Sequence, residues 1–413
     1  MSSSLIQSFI EEANSRSADF PLNNLPFGVF SEKSRPKKKF SCTAIGDKVF
    51  NLSLAEELGL ISDLGFSKVL LNSFMEKGKK VRQSLRHQIQ EILSENSSKK
   101  DIALNCIIPM EDCIHSMPFE IGEYTDFYSC KNHALNASKI IRGEDAGLSP
   151  NWYSLPVAYN GRKSSVIISG SDIKRPRGQI SDKETGVVAY KKTEKLDFEL
   201  ELGTVIGKPL EWSRTSDYRE SEDLIFGFVL LNDWSARDIQ SWEYQPLGPF
   251  LSKAFGTTIS PWVITPEALE DFKLSPPNRE IPLLPHFEDE KSYVFDINLS
   301  VKLIEDDGTE TSLAKTNAKE LYYSPVQQIL HHSSSGSGMS VGDLLGSGTI
   351  SGIEKRSRGC FLELTWGGKE PVELASGKKR SFIEDNDTVI LSGVSESDDY
   401  SIGFGDCVGK IIP

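Results

Sequence analysis

The feature that most restricts how this chain can fold is the alternating stretch at residues 196–202, with the sequence LDFELEL. Side chains on a β-strand point alternately to opposite faces, so a strand here puts four apolar residues on one face and three acids on the other. The acids are Asp197, Glu199 and Glu201, and same-face neighbours on a strand lie about 7 Å apart. The pattern leaves two interpretations: a half-buried strand whose polar face meets solvent, or a strand that helps to bind a hard cation.

A second segment favours the cation site. Residues 224–231 form an apolar run that predicts a buried strand, with Asp233 close to its end. If a helix starts at Asp233, its positions i, i+4, i+7 and i+11 are occupied by Asp233, Arg237, Gln240 and Tyr244. An Asp–Arg pair four residues apart is also an ordinary helix-stabilising pair. Because Gln240 and Tyr244 continue the polar stripe, we interpret it as a functional surface.

Among the histidines, His133 has the neighbours that most favour a catalytic role. A lone histidine is usually structural, but this one lies near Asp126 and Tyr128, and a helix spanning residues 126–133 would place the acid and the imidazole on one face. This neighbourhood favours a general base. Carboxylates alone offer oxygen ligands, which suit Ca²⁺ or Mg²⁺ better than zinc. The acids that form this candidate set are Asp126, Glu199, Glu201 and Asp233.

The length and pattern of the chain predict two domains and a mainly β, α+β fold. The chain has 413 residues, which is long for one small core. Residues 1–118 form one predicted unit, with a hairpin about Gly46-Asp47 and an amphipathic helix over residues 81–93. From residue 119 onward, short β-type runs follow one another closely, including residues 165–169, 196–206, 294–303, 360–366 and 388–393. This spacing favours a β-rich second domain over residues 119–413 and not an alternating βαβ sheet.

Composition argues against several classes of partner. The net charge of −13 disfavours nucleic acid and anionic membranes, because both require a basic face. No apolar stretch approaches the roughly 20 residues of a membrane span, and the N-terminus lacks the pattern of a signal peptide. The six cysteines are widely spaced and form no Cys-x-x-Cys pair, which suits reduced thiols. We therefore expect a cytoplasmic protein that binds neither nucleic acid nor membrane.

Several longer motifs resemble the fumarylacetoacetase family. They include IGEYTDFY at residues 121–128, NDWSARDIQSWEY at 232–244, PLGPF at 246–250, GTTISPW at 256–262 and GTISG at 348–352. The likeness begins near residue 19 and continues to the C-terminus. The wider superfamily shares only the acids of its metal site, so the long block over residues 232–262 points to this family.

The resemblance implies a fold, an activity and an assembly. It implies a homodimer, each subunit having a small N-terminal SH3-like β-barrel domain and a larger C-terminal mixed β-roll catalytic domain with the metal site. It also implies metal-dependent hydrolysis of a carbon–carbon bond in 4-fumarylacetoacetate, a β-diketone with carboxylates at both ends. The products would be fumarate and acetoacetate, in the last step of tyrosine and phenylalanine catabolism.

The same resemblance assigns roles to individual residues. Its calcium ligands correspond to Asp126, Glu199, Glu201 and Asp233, and a magnesium-type contact corresponds to Asp233, the backbone oxygen of Lys253, and Thr257. His133 corresponds to the proton acceptor and Glu363 to the acid that orients it. The substrate contacts correspond to Tyr128, Arg142, Tyr159, Gln240, Tyr244 and Thr349.

Further roles follow from the implied mechanism. Arg142, with Tyr128 and Tyr159, would bind a terminal carboxylate, while Arg237, Gln240 and Lys253 would stabilise the oxyanion. The ammonium group of Lys253 would also stabilise the leaving enolate, so replacing it should leave metal affinity unchanged. One departure is the family's usual Tyr-His-Gly-Arg, which here reads YNGR at residues 159–162.

Two alternatives remain open on the sequence. The same fold could serve an acylpyruvate hydrolase or a decarboxylase, but those relatives are generally shorter than this chain. A calcium-binding scaffold without catalysis is the second alternative. It would need only the acids, so the presence of His133, Glu363 and Lys253 argues against it.

Overall fold

The N-terminal part of the protein is built on one five-stranded antiparallel sheet. The structure is a computed structural model that describes residues 4–182, 184–287 and 292–413. The strands of this sheet are β1 (Phe27–Glu32), β2 (Lys39–Ile45), β3 (Lys48–Asn51), β4 (Ile107–Pro109) and β5 (Cys113–Ser116), in the order β4-β3-β2-β1-β5. The helices are α1 (Leu52–Glu57), α2 (Asn72–Met75), α3 (Gly78–Leu93) and α4 (Lys100–Ala103).

Two local predictions for this part are confirmed. β2 and β3 pair as a hairpin about Gly46-Asp47, where Gly46 has a φ of +55° and a Cβ would lie 2.9 Å from the backbone nitrogen of Ala13. Only glycine tolerates both conditions without strain. α3 carries the predicted amphipathic pattern and buries Leu85 and Ile89.

The larger part begins with β6 and is dominated by two sheets. Its strands are β6 (Tyr124–Phe127), β7 (Ala158–Asn160), β8 (Val166–Ile168), β9 (Ser171–Lys174), β10 (Arg177–Ser181), β11 (Val188–Lys192), β12 (Leu196–Asp197), β13 (Leu200–Ile206), β14 (Ile225–Asp233), β15 (Ser235–Ala236), β16 (Thr257–Ile259), β17 (Lys273–Leu274), β18 (Val294–Phe295), β19 (Asn298–Ile304), β20 (Glu310–Asn317), β21 (Leu344–Gly346), β22 (Val372–Glu373), β23 (Lys379–Arg380), β24 (Thr388–Glu396), β25 (Ser401–Gly403) and β26 (Cys407–Ile412). Its α-helices are α5 (Lys131–Arg142), α6 (Tyr218–Leu224), α7 (Arg237–Glu243), α8 (Pro325–Ser333) and α9 (Phe361–Leu364).

Short 3-10 helices connect these elements. They lie at Glu11–Asn14, Phe66–Lys68, Leu104–Cys106, Met110–Asp112, Pro150–Tyr153, Lys163–Ser165, Pro266–Phe272, Ala318–Glu320 and Lys355–Ser357. None of the helices in the described ranges is long and apolar enough to cross a membrane.

The main sheet of the larger part carries the residues of interest. It has seven strands in the order β7-β6-β21-β13-β14-β16-β8, mostly antiparallel but with β6 parallel to β21 and β8 parallel to β16. The second sheet has the order β20-β19-β24-β26-β9, with β25 paired to β24. The prediction of a mainly β, α+β fold is confirmed.

The N-terminal sheet packs against the main sheet. β1 meets the larger part through Phe27, which exchanges backbone hydrogen bonds of 3.0 and 2.8 Å with Val263. Phe30 stacks on Trp262 with 4.5 Å between ring centres. One apolar cluster also joins N-terminal side chains to those of β13 and β14. The hydrophobic effect therefore holds the two parts together across a continuous buried surface.

The acid-rich stretch at residues 196–206 is not one strand. It breaks after Asp197 into β12, which pairs with β15, and β13, which pairs with β14 and β21. Both faces of the segment are covered, and Asp197, Glu199 and Glu201 are at most 4% exposed. The interpretation as a strand with a solvated polar face is therefore wrong.

Three further predictions of local structure are wrong. Residues 360–366 were expected to be a strand but contain α9, because the Asp197 carboxylate accepts hydrogen bonds from the first two amides of that helix at 2.7 and 2.9 Å. The helix expected to start at Asp233 begins only at Arg237, since Asp233 ends β14 and β15 intervenes. No helix spans Asp126 and His133, which lie on β6 and α5.

Candidate active site

A cavity of about 1190 Å³ opens beside the main sheet and α7. Most of the residues that the sequence singled out line it: Asp126, Tyr128, His133, Tyr159, Glu199, Glu201, Arg237, Gln240, Tyr244, Lys253 and Thr349. Three others, Asp233, Thr257 and Glu363, are buried. Asp233 and Glu363 contact the lining residues Lys253 and His133, and Thr257 contacts Asp233. Arg142 does not line the cavity. It is exposed at the end of α5, where it donates to the carbonyl of Gly147 at 2.8 Å.

Four buried carboxylates meet at one wall of this cavity. Oxygen atoms of Asp126, Glu199, Glu201 and Asp233 all lie within 4.8 Å of one another. The close approach depends on Gly346 of β21, the strand between β6 and β13. A Cβ on Gly346 would lie 2.6 Å from an oxygen of Asp126 and 2.9 Å from one of Glu201. A residue without a side chain is therefore required where the acids of two non-adjacent strands meet.

Two cations partly compensate this negative charge. Lys253 Nζ lies 2.6 Å from Asp233 Oδ2 and also hydrogen-bonds Glu199, while Arg237 Nη2 lies 2.7 Å from Glu199 Oε1. Burial would raise the pKa of Glu199, but Lys253 and Arg237 hold that pKa well below its usual value. Burial together with the charge of Asp126 instead raises the pKa of Glu201 far above the ordinary value.

The acid cluster fits a divalent cation. Its four carboxylates carry more negative charge than the two cations neutralise, and carboxylate repulsion inside a protein is costly. Glu201 Oε1 is buried and has no hydrogen-bond partner among the described residues, and a buried polar atom without a partner is energetically costly. Thr257 Oγ1 stands at the edge of the cluster, 3.5 Å from Asp233 Oδ1. An oxygen-binding cation would satisfy both the charge and the free oxygen.

A histidine–glutamate pair lies at a second wall. His133 on α5 contacts Glu363 on α9, with 2.6 Å between Nδ1 and Oε2, and Glu363 is fully buried. Asn136 donates to Glu363 Oε1 at 2.8 Å, and Ser351 Oγ donates to Oε2 at 2.7 Å. Burial would raise the pKa of Glu363, but His133 and these donors hold it below its ordinary value. An ionised Glu363 requires a proton on His133 Nδ1, which leaves Nε2 as the nitrogen able to accept a proton.

The two walls are joined through Asp197 and Arg237. The carboxylate of Asp197 caps α9, the helix of Glu363, and lies 2.9 Å from Arg237 Nε. The same guanidinium contacts Glu199 of the acid cluster. A series of hydrogen bonds therefore connects the helix that carries Glu363 with the acid cluster.

The other residues expected to contact the substrate differ in whether their polar groups already have hydrogen-bond partners. Thr349 has a buried hydroxyl that lines the cavity and has no partner among the described residues, so it is available to a ligand. Tyr128 meets the ring of His133 edge-on at 5.3 Å. Gln240 accepts from Arg237 at 3.1 Å, and the Tyr244 hydroxyl accepts from Gln245 at 3.2 Å. The hydroxyl of Tyr159 is engaged, because it donates to Asp233 Oδ2 at 2.6 Å.

Sequence reasoning missed three residues of this site. Asn136 stands three positions after His133 on α5, so the i, i+3 spacing could have indicated that it shares the face of His133. Ser351 belongs to the GTISG motif, but only tertiary structure brings it to Glu363. Asp197 was counted among the three acids of residues 196–202, and the strand break that turns it toward α9 has no local signal.

Comparison with known proteins agrees with this description. Buried acids that can hold a metal share one cavity with a His–Glu pair in a mainly β protein, an arrangement suited to metal-dependent hydrolysis. Residues 124–412 match the family model described as fumarylacetoacetate (FAA) hydrolase C-terminal, and residues 23–118 match the one described as fumarylacetoacetase N-terminal. The chain belongs to the fumarylacetoacetase family.

Individual relatives cover almost the whole chain. It is 43% identical to a fumarylacetoacetase of Arabidopsis thaliana, over 99% of each chain. It is 41% identical to that of Homo sapiens, over 96% of this chain and 97% of the human one. A solved fumarylacetoacetate hydrolase from psychrophilic Exiguobacterium antarcticum aligns with a TM-score of 0.54 over 94% of this chain and 99% of that chain, at 14% identity. This last likeness concerns the fold alone.

Proposed function

We propose that this protein hydrolyses the carbon–carbon bond of 4-fumarylacetoacetate and releases fumarate and acetoacetate, the last step of tyrosine and phenylalanine catabolism. The near full-length identity to fumarylacetoacetases supports this reaction. The observation that carries the proposal is the buried His133–Glu363 pair, which shares one cavity with the acid cluster. A protein that only bound calcium would need the acids but not this pair.

Hydrolysis of a β-diketone needs an activated water and a stabilised leaving carbanion. His133 Nε2 takes a proton from water, and Glu363 holds the opposite nitrogen and stabilises the imidazolium that forms. The hydroxide adds to a carbonyl carbon and gives a tetrahedral oxyanion. Arg237, Gln240 and Lys253 supply positive charge and hydrogen bonds toward that oxygen. The carbon–carbon bond then breaks, and protonation of the leaving carbon by the imidazolium returns His133 to its neutral form.

A divalent cation completes this site in our proposal. Asp126, Glu199, Glu201 and Asp233 would hold it, and when bound it supplies Lewis-acid polarisation of the diketone oxygens. The all-oxygen donors favour Ca²⁺, with Mg²⁺ as the second candidate through Asp233, the backbone oxygen of Lys253, and Thr257. Metal analysis of the purified protein and calorimetry with each ion would identify the one it prefers.

We also propose that the protein is a cytoplasmic homodimer. Large apolar side chains are exposed on the segment after α7, with Leu247 97% and Phe250 61% exposed, and a second copy of the chain would cover such a surface. The six cysteines are free, as suits a reducing compartment. Light scattering of the purified chain and fractionation of cells test these two points.

Turnover of 4-fumarylacetoacetate with and without a chelator tests the proposed activity. The proposal predicts turnover that a chelator abolishes and added Ca²⁺ or Mg²⁺ restores. Turnover of acylpyruvates or oxaloacetate in place of the diketone would indicate a different reaction on this fold. Metal binding without any turnover would indicate a scaffold.

A further inference from the structure

A second group of side chains able to bind a metal lies at the His–Glu pair. His133, Cys360 and Glu363 each offer one ligand atom, and these atoms all lie within 4.8 Å of one another. Ca²⁺ and Mg²⁺ bind oxygen ligands, whereas Zn²⁺ binds thiolate, imidazole and carboxylate together. The proposed reaction uses His133 and Glu363 but gives no role to the thiol of Cys360. The residue types of this group therefore suit a different ion from that of the acid cluster.

The thiol of Cys360 lies against the contact between the other two side chains. Its Sγ is 3.3 Å from Glu363 Oε2, to which it donates, and 4.0 Å from His133 Nδ1. Nδ1 and Oε2 are themselves 2.6 Å apart. The usual zinc bond lengths place such ligand atoms about 3.3–3.6 Å apart around a tetrahedral ion. Side-chain shifts of less than about 1 Å would therefore bring the three atoms to the spacing of a zinc site.

Charge balance also favours a divalent ion between these groups. A metal ion deprotonates a thiol that coordinates it, so Cys360 and Glu363 would each supply one negative charge and His133 none. Together they cancel the charge of one divalent ion. Cancellation matters here because Cys360 and Glu363 are fully buried and His133 is 4% exposed, and an uncompensated charge in the interior is costly.

The group lies next to the cavity. His133 lines the cavity directly. Cys360 belongs to a small apolar cluster with Ala137 and Leu362, and both of these neighbours also line the cavity. We therefore expect an ion to reach the thiol from the cavity, past the imidazole and this apolar layer.

An ion bound to this group would remove the base of the reaction. In the metal-free pair, Nδ1 of His133 carries the proton and Nε2 is able to accept one. An ion that takes the lone pair of Nδ1 displaces that proton, and the neutral imidazole then carries it on Nε2. Nε2 can no longer accept a proton from water. The proton of the Cys360 thiol passes to solvent, so one proton is released for each ion bound.

We propose that His133, Cys360 and Glu363 form an inhibitory site for a thiophilic divalent ion of the Zn²⁺ class, separate from the acid cluster. The inhibition rests on the proposed function, because it removes the base of that reaction, but the binding of the ion does not. The all-oxygen acid cluster and this nitrogen–sulfur–oxygen group select different ions. Activity therefore falls as free Zn²⁺ rises, while Ca²⁺ stays bound to the acids.

The binding test uses the protein with saturating Ca²⁺, so that the acid cluster is filled. Zn²⁺ is titrated by calorimetry and Co²⁺ by absorption, which detects a thiolate ligand through its charge-transfer band. The variants are Cys360→Ser and the matched control Cys106→Ser, at a buried free cysteine of the N-terminal part. We expect Cys360→Ser to lose the band and to bind Zn²⁺ about a hundredfold more weakly, while Cys106→Ser behaves as the wild type. Circular dichroism checks the fold, and Cys360→Ala provides a second variant without the thiol.

The inhibition test measures turnover against free Zn²⁺ at the same saturating Ca²⁺, each variant relative to its own rate without zinc. We expect the concentration that halves the rate to rise about a hundredfold in Cys360→Ser and to be unchanged in Cys106→Ser. Removing Zn²⁺ with a chelator and restoring Ca²⁺ should return the activity of the wild type.

Three results would overturn the proposal. The first is a Co²⁺-loaded wild type without the thiolate band. The second is equal inhibition of Cys360→Ser and Cys106→Ser, which would place the inhibitory Zn²⁺ elsewhere, as at the acid cluster. The third is a wild type that binds Zn²⁺ through the thiol and keeps its full activity. Absence of turnover without zinc would instead overturn the proposed function, and the band and the calorimetry would still test the site.

Discussion

Asp197 and Arg237 form a buried ion pair, with 2.9 Å between Asp197 Oδ2 and Arg237 Nε. Asp197 caps the helix of Glu363, and Arg237 contacts the acid cluster through Glu199. The pair therefore connects the group that activates water with the group of acids that can hold a metal. Its two members touch both halves of the site through hydrogen bonds, so we expect a substitution in the pair to affect both halves.

Asp197→Asn should damage the site through this connection. The variant leaves Arg237 with one carboxylate partner and weakens the cap of α9, and breaking a buried pair typically costs about 3–5 kcal/mol. We expect a lower free energy of unfolding together with a lower kcat, measured by urea denaturation and turnover. Asp306→Asn, at an exposed aspartate, is the control. Unchanged kcat in a destabilised Asp197→Asn protein would separate the ion pair from catalysis.

Glu201→Gln should stabilise the metal-free protein and reduce the stabilisation that a bound metal provides. Removing one buried carboxylate relieves repulsion, so the metal-free variant should be more stable than the wild type by about 1–3 kcal/mol. The stabilisation that saturating Ca²⁺ provides should fall, by about 1.4 kcal/mol for each tenfold loss of affinity. Thermal unfolding with and without Ca²⁺ measures both effects. Glu194→Gln, another acid that lines the cavity, should show neither, and an unaltered calcium response in Glu201→Gln would argue against the metal site.

Lys253→Met should lower kcat and raise metal affinity. The resemblance alone led us to expect unchanged affinity, but the ammonium contacts Glu199 and Asp233, two of the proposed ligands. Its removal makes the cluster more negative, which favours a cation. The loss of one charged donor to the developing oxyanion suggests a decrease in kcat of about a hundredfold. Calorimetry and turnover measure the two effects, and a rise in KM at constant kcat would reduce Lys253 to a substrate-binding residue.

The ionisation of Glu363 predicts a pH dependence of stability. Because the pKa of Glu363 is lowered in the folded state, the folded protein holds fewer protons at this group than the unfolded chain. Its stabilising contribution is therefore present above the unfolded value of about 4.3 and is lost as the pH falls through the lower folded value. Glu363→Gln lacks this contribution. The difference in unfolding free energy between wild type and variant should be largest above about pH 4.3 and shrink below it, and a difference that grows on acidification would contradict the assigned ionisation.

The sequence indicated which residues the structure brings together better than it indicated their local structure. The acids and the candidate base were identified from their residue types and neighbours, and the apolar run over residues 224–231 correctly predicted most of β14. The helical spacings offered for Asp126 with His133 and for Asp233 with Arg237 were wrong, because each pair spans the junction of a strand and a helix. Residues 360–366 are rich in β-favouring side chains, but a cap from Asp197, distant in sequence, makes them helical. Such tertiary hydrogen bonds leave no periodic signal.

The sequence also could not predict how long side chains are oriented. Arg142 ends α5 and turns to the carbonyl of Gly147, so its place outside the cavity depends on the loop that follows the helix.

The role of His133 is tested most directly by turnover of 4-fumarylacetoacetate by the wild type and by His133→Ala, each loaded with Ca²⁺ and with metal affinity measured in parallel. We expect His133→Ala to keep its fold and its metal affinity but to lose activity by far more than tenfold, because it removes the imidazole that Glu363 orients to take the proton from water. Residual activity within about tenfold of the wild type, less than about 1.4 kcal/mol of barrier, would contradict the role of His133 and with it the proposed mechanism.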